Sequence, residues 1–278
     1  MPFHKAQSVL KKILPERVFE LLYRVATAEY YANQAVLDWI YYNIPRTDSE
    51  KRIMIDLIKT VLPHTMVGRG GLITTYKVVK DVERQDIEGC LVECGVARGG
   101  SAALMLLTSE LFAPKNSARD ARTAWLFDSF EGLPSSTTED GFLRKPNHNN
   151  KSSWDLAEGY CLGALEEVEE LLFKKLEFDT SKVFLIKGWF QDTLPEHKDK
   201  VGDIAVLRLD GDWYESTKCC LENLYDNVIE GGYVIVDDYA LVGCRKAADE
   251  FLTSQGEHPE IIPDGRGGGW FKKKRQPR

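Results

Sequence analysis

Asp203-Ile-Ala-Val-Leu-Arg-Leu-Asp210 and Gly232-Tyr-Val-Ile-Val-Asp237-Asp238 are two apolar runs of strand length, and each closes on carboxylates. A nearly continuous apolar run bounded by polar residues reads as a strand buried on both faces. In an open parallel sheet, ligands bind outside the carboxyl ends of the strands. Asp210, Asp237 and Asp238 would converge there and repel one another unless a proton or a cation intervenes. A hard divalent ion with oxygen ligands answers that repulsion. Mg2+ suits a site that keeps positions for water or substrate oxygens.

Working outward, the same rhythm runs from residue 89 onward. Gly89-Cys-Leu-Val-Glu-Cys94 reads as a strand, Gly95 to Gly100 as a turn, and Ser101 to Phe112 as a helix. Ala124-Trp-Leu-Phe-Asp128 and Val183-Phe-Leu-Ile186 are further strands. Helical spacing recurs over 160–175, 213–229 and 244–254, and Gly267-Gly-Gly-Trp-Phe271 supplies a final edge strand. This alternation predicts an α/β fold, a doubly wound and mostly parallel sheet covered on both faces. The first sixty residues read as helices: Val9, Leu10, Ile13 and Leu14 precede Pro15, and Val18, Leu21, Leu22 and Val25 follow. Tyr30, Tyr31, Trp39, Tyr41 and Tyr42 add aromatic mass, and Thr47-Asp48-Ser49 reads as a helix start. Residues 1–60 are thus expected to form a helical extension, acting as a cap, an oligomer contact or a wall of the active site. Residues 61–278 form the main domain. The polar stretch 129–157 leaves the second strand and is long for a plain connection, which suggests a substrate-side loop.

Composition narrows the function. The chain has 278 residues, 43% of them hydrophobic, enough for a sizeable core. Its formal charge of -7 argues against nucleic acid as a partner. The basic end Lys272-Lys-Lys-Arg275 reads as a solvated tail. Cys90, Cys94, Cys161, Cys219, Cys220 and Cys244 include no C-x-x-C pair and read as reduced thiols, not as a zinc site or disulfide framework. No run approaches a membrane span and the amino terminus has no signal-like apolar region, so no membrane partner and a cytoplasmic location are expected.

Glu93-Cys-Gly95-Val-Ala-Arg98-Gly99-Gly100-Ser101 is a glycine-rich strand-to-helix turn, where backbone can approach a ligand closely. It is neither a G-x-G-x-x-G dinucleotide turn nor a P-loop. Glu93 beside it suits a cationic or hydroxyl-rich ligand better than a pyrophosphate. S-adenosylmethionine (SAM), with its ammonium, sulfonium and ribose, fits that description. Asp128, at the head of Asp128-Ser129-Phe130-Glu-Gly-Leu-Pro134, is placed either to accept ribose hydroxyls or to cap a turn. Gly188 and Phe190, in Lys187-Gly-Trp-Phe-Gln-Asp-Thr-Leu-Pro195, follow the third strand and either bracket an adenine or cap the sheet edge.

These motifs, with Leu209-Asp-Gly-Asp-Trp-Tyr-Glu-Ser-Thr217 and Val236-Asp-Asp-Tyr239, closely resemble the macrocin O-methyltransferase family over roughly residues 45–273. The resemblance implies a class I SAM-dependent methyltransferase fold, SAM and Mg2+ as cofactors, and a sugar hydroxyl on a macrolide-like natural product as acceptor. It further implies that Thr65 and Met66 belong to the cofactor site. The full cofactor set is then Thr65, Met66, Glu93, Gly95, Arg98, Gly99, Ser101, Asp128, Ser129, Phe130, Gly188, Phe190 and Asp210. Asp210, Asp237 and Asp238 are the metal set, and a homo-oligomer, dimer or tetramer, is expected. Asp212 is the candidate general base or, alternatively, the cap of the following helix. His148, in the polar loop, is a further candidate to approach substrate. Competing readings are a catechol-type methyltransferase with the same metal logic, an NAD-dependent oxidoreductase, and a non-catalytic SAM-binding protein. The glycine spacing speaks against the oxidoreductase, and the intact aspartates speak against the non-catalytic protein.

Overall fold

The computed structural model describes residues 38–44, 47–114, 122–141 and 158–274. The expectations for Val9 to Tyr31 and for His148 lie outside them. The chain divides into two compact units, Met1–Ile55 and Asp56–Arg278. In the first, residues 38–43 are helical, and helix α1 (Ser49–Val61) starts where Asp48 caps it, its Oδ1 accepting the amides of Glu50 at 2.9 Å and Lys51 at 3.2 Å.

The second unit holds a seven-stranded sheet in the order β3-β2-β1-β4-β5-β7-β6. The strands are β1 (Cys90–Cys94), β2 (Ala124–Asp128), β3 (Val183–Lys187), β4 (Ile204–Leu209), β5 (Val228–Val236), β6 (Ile262–Pro263) and β7 (Gly269–Lys272). β1 to β5 pair in parallel, and β7 runs antiparallel between β5 and β6. The helices are α2 (Arg69–Arg84), α3 (Gly100–Phe112), α4 (Leu165–Glu169, continued by a π-helical turn to Lys175), α5 (Phe190–Val201), α6 (Tyr214–Leu224) and α7 (Val242–Ser254). α2 packs on α3, whereas α5, α6 and α7 pack side by side. Cys90, Val92 and Cys94 share a core cluster with Leu194 of α5, Leu221 of α6 and Leu252 of α7. Successive strand residues face opposite ways, so Leu91 and Glu93 project to the α2–α3 side.

Sequence periodicity and structure differ in instructive places. α2 and α5 are helices that the periodicity did not mark. α2 opens on Arg69-Gly-Gly with no side-chain cap, and α5 carries Pro195 within its length. β5 begins at Val228, so the preceding helix is shorter than its periodicity implied. Among the described residues, no helix is long and apolar enough to cross a membrane.

The strand order reverses between β1 and β4, so the crevice opens between their carboxyl ends. There the turn after β1 packs directly against the backbone of Asp210. Gly95 has φ 93°, and a Cβ on it would stand 1.8 Å from the carbonyl oxygen of Asp210. Gly95→Ala is therefore expected to combine left-handed strain with a backbone collision. Thermal melting should show a loss on the order of several kcal/mol, or no soluble protein. A melting point equal to wild type would contradict this packing.

Candidate functional site

The cavity at the crevice is built from the strand ends and the segments around them. Gly95, Val96, Ala97, Arg98 and Ser101 come from the β1 turn, and Asp128 and Ser129 from the end of β2. Asp210, Gly211, Asp212, Asp237 and Asp238 come from the ends of β4 and β5, and Thr65 and Met66 from the segment before α2. Trp189 and Phe190 close one side. His64, Cys161 and Ser216 also line it, residues to which the sequence reading had attached no role.

Asp128 organises the cofactor turn. Its Oδ2 accepts the amides of Val96 at 2.7 Å and Ala97 at 2.8 Å, and its Oδ1 accepts that of Phe130 at 2.7 Å. Each carboxylate oxygen has two acceptor sites, so Oδ1 keeps capacity for one hydroxyl while the carboxylate fixes both loops. Capping and ligand contact are thus compatible at Asp128. Phe130 is buried with φ 54°, held by that same bond.

Four expected residues do not line the cavity: Glu93, Gly99, Phe130 and Gly188. Glu93 is fully buried on the α2–α3 side of β1, where it is the register partner of Arg208 on β4. A strand buried on both faces does not reveal in sequence which way a given side chain points, and here Glu93 points away from the cavity lining. Gly99 turns toward α4, where an added Cβ would meet Val168 at 3.1 Å, and Gly188 abuts Thr193 at 2.7 Å.

Arg208 is the element that the apolar pattern concealed. It is fully buried, and it donates from Nη1 to Asp210 Oδ2 at 2.8 Å and from Nη2 to Asp237 Oδ1 at 2.7 Å. Its Nη1 lies 3.5 Å from Glu93 Oε1. The carboxylates thus have a built-in counter-cation, yet one guanidinium does not balance Asp210, Asp237 and Asp238 together with Asp212. Burial, ahead of Asp210 and Asp237, pushes the Asp212 carboxyl up to about 7. Burial likewise lifts Asp237 to about 7 against the pull of Arg208, and it drives Asp238 well above the carboxylate range. Ligand atoms of Asp210, Asp237 and Asp238 lie within 4.8 Å of one another. Asp238 Oδ2 is buried without a hydrogen-bond donor. An all-oxygen donor set with an orphaned buried carboxylate oxygen fits a hard divalent ion.

Glu93 carries a pH signature. Burial outweighs Arg208 and raises its carboxyl to about 8. The folded state then holds a proton that the unfolded chain releases at its ordinary value near 4.5, so stability falls as pH rises from there to about 8. Glu93→Gln removes that term. Urea midpoints at pH 5 and pH 8.5 should show the variant gaining on wild type at the higher pH. A constant difference would mean that Glu93 is ionised throughout.

Asp212 is not the helix cap. It sits in a left-handed turn, φ 56°, and α6 is capped instead by Asp140, whose Oδ1 accepts the Tyr214 amide at 2.6 Å. Asp140 Oδ2 also accepts the Thr137 amide at 2.8 Å, and the Trp213 indole donates to the Pro134 carbonyl at 2.9 Å. Residues 134–140 are thereby fastened to the turn that presents Asp212 to the cavity.

A family model described as macrocin O-methyltransferase matches residues 17–273, a span that holds the whole sheet and this cofactor turn. The chain belongs to the macrocin O-methyltransferase family. It is similar to the demethyldecarbamoylnovobiocin O-methyltransferase of Streptomyces niveus, 38% identical over 215 residues and covering 76% of each chain. It is also similar to an 8-demethyl-8-(2,3-dimethoxy-alpha-L-rhamnosyl)-tetracenomycin-C 4'-O-methyltransferase of Streptomyces olivaceus, 34% identical over 256 residues and 90% of each chain. Among solved structures, the O-methyltransferase NovP superposes with TM-score 0.62 at 35% identity, covering 76% of this chain and 83% of that one. The fold is that of class I SAM-dependent O-methyltransferases, and the protein is a SAM-dependent O-methyltransferase.

Proposed function

We propose that this enzyme methylates a sugar hydroxyl of a glycosylated small molecule, with a divalent ion, Mg2+, held by Asp210, Asp237 and Asp238. The observation that carries the ion is the donorless, buried Asp238 Oδ2 beside two further carboxylates. The acceptor class is supported by the relatives, whose names place methyl groups on novobiocin and tetracenomycin precursors. A bound ion supplies a Lewis acid that lowers the pKa of a coordinated hydroxyl.

The chain's own residues do the rest. Arg208 holds Asp210 and Asp237 in a fixed orientation through one charge-assisted bond to each. Asp212, raised toward neutrality by burial, accepts the hydroxyl proton. As that proton leaves, the oxygen forms a bond to the methyl carbon and the carbon–sulfur bond breaks, leaving a neutral thioether. The Gly95 turn, Asp128, Ser101, Thr65 and Met66 position the donor, and Trp189 with Phe190 walls one side.

The test is a panel of glycosides and catechols with isotope-labelled SAM. Turnover of glycosides is the expected result, and exclusive turnover of catechols would replace the sugar reading with the phenolic one.

A further inference from the structure

The carboxylate site opens sideways. A hollow of about 280 Å3 is lined by Asp237 and Asp238, by Gly68 and Gly71, and by Asp264, Arg266 and Gly267. Asp264 and Arg266 also line a groove of about 810 Å3 between α2 and the β6–β7 edge. Glycine lets the start of α2 pack directly against this loop and the carboxylates, so that Asp264 and Arg266 border both spaces. A Cβ at Gly70 would stand 2.6 Å from the Asp264 carbonyl, and one at Gly71 would stand 2.8 Å from Asp237 Oδ1. The loop itself is pinned, because Asp264 Oδ1 accepts the amides of Arg266, Gly267 and Gly268 at 2.6 to 3.0 Å.

The groove differs chemically from the rest of the protein. Of its sixteen described lining residues, five are Arg or Lys and two are Asp, in a chain of net charge -7. Both acids are engaged with donors: Asp264 with its loop amides, and Asp81 with the Tyr233 hydroxyl and Gln85. Trp270 and Tyr233 form a tilted ring pair, centroids 5.8 Å apart, within the same lining. Cations beside an aromatic surface recognise an anion joined to a flat ring.

We propose that this groove binds the part of the acceptor remote from the methylated hydroxyl, and that this part carries a phosphate or carboxylate next to a flat ring. The proposal rests on the sugar-acceptor reading and narrows it. Arg69, Lys77 and Arg266 meet the anion, and Trp270 meets the ring. A local cationic groove also captures an anionic acceptor that the acidic protein as a whole would repel.

Three acceptors test it: a nucleoside-diphosphate sugar, a glycoside of an aromatic carboxylic acid, and a neutral aryl glycoside. The wild type should favour one or both anionic acceptors over the neutral one in kcat/KM. Lys77→Glu should shrink that preference roughly tenfold or more, through KM. Which anionic acceptor is preferred names the source of the charge. Equal turnover of all three, or a preference that Lys77→Glu leaves intact, overturns the proposal. If no glycoside is turned over, the sugar reading fails separately. Calorimetry with a free nucleoside diphosphate and with a free aromatic carboxylate then judges the groove: binding of either that is lost in Lys77→Glu supports it, and binding of neither to wild type overturns it.

Discussion

Asp238→Asn is expected to make the ion-free protein more stable while nearly abolishing methyl transfer. In the absence of a cation, Asp238 Oδ2 is a buried acceptor facing other carboxylates, with no donor. An asparagine removes the charge and offers an N–H to the neighbouring Asp210, a relief of roughly 1–3 kcal/mol near pH 8. The same change removes an anionic ligand from the proposed ion site, which should cut turnover roughly a hundredfold or more. The two effects have opposite signs, and simple damage to the fold does not produce that combination. Urea unfolding in EDTA and initial rates across a Mg2+ titration measure them. Unimpaired wild-type turnover after exhaustive EDTA treatment would remove the ion from the mechanism.

Arg208→Met should be among the most damaging substitutions in the molecule. Arg208 is fully buried and is bonded to Asp210 and Asp237. Removing one partner of a buried ionic cluster costs about 3–5 kcal/mol, because the remaining charges stay buried without compensation. Arg208→Lys should rescue little, since a single ammonium does not reproduce a fork that meets two carboxylates at once. Excess Mg2+ should recover part of the loss, because a ligand that binds only the folded state stabilises it by mass action. Unfolding midpoints with and without Mg2+ decide the point. A midpoint for Arg208→Met equal to wild type in EDTA would show that the aspartates need no internal counter-ion.

The sheet and its three strand-end aspartates were legible because both follow from one-dimensional pattern: apolar runs of strand length, and the carboxylates that stop them. Asp212 was legible for the same reason, being two residues past Asp210. Arg208 was written in the same run yet passed unnoticed, since a single charge in an apolar strand has meaning only once its neighbours are known. Glu93 was assigned to the cofactor because it adjoins the glycine turn. Its direction depends on which face of a doubly covered strand it occupies, and period-two alternation carries no such information when both faces are apolar. α2 and α5 escaped because Gly70, Gly71 and Pro195 weaken the local signal that tertiary packing overrides. The cap on α6 comes from Asp140, 74 residues upstream, beyond the reach of any local rule.

That long-range cap limits how such an enzyme can be re-engineered. Asp140 is wedged between Thr137, the Tyr214 amide and Gly243, where a Cβ would stand 2.1 Å from its Oδ1. Residues 134–141 therefore behave as one half of a joint whose other half lies at the starts of α6 and α7. Grafting that loop from another methyltransferase, to change which molecule is accepted, would import half a joint. Unless Trp213, Tyr214 and Gly243 are matched to the graft, the change would reach the turn bearing Asp212, and an intended shift in selectivity would register as a loss of rate.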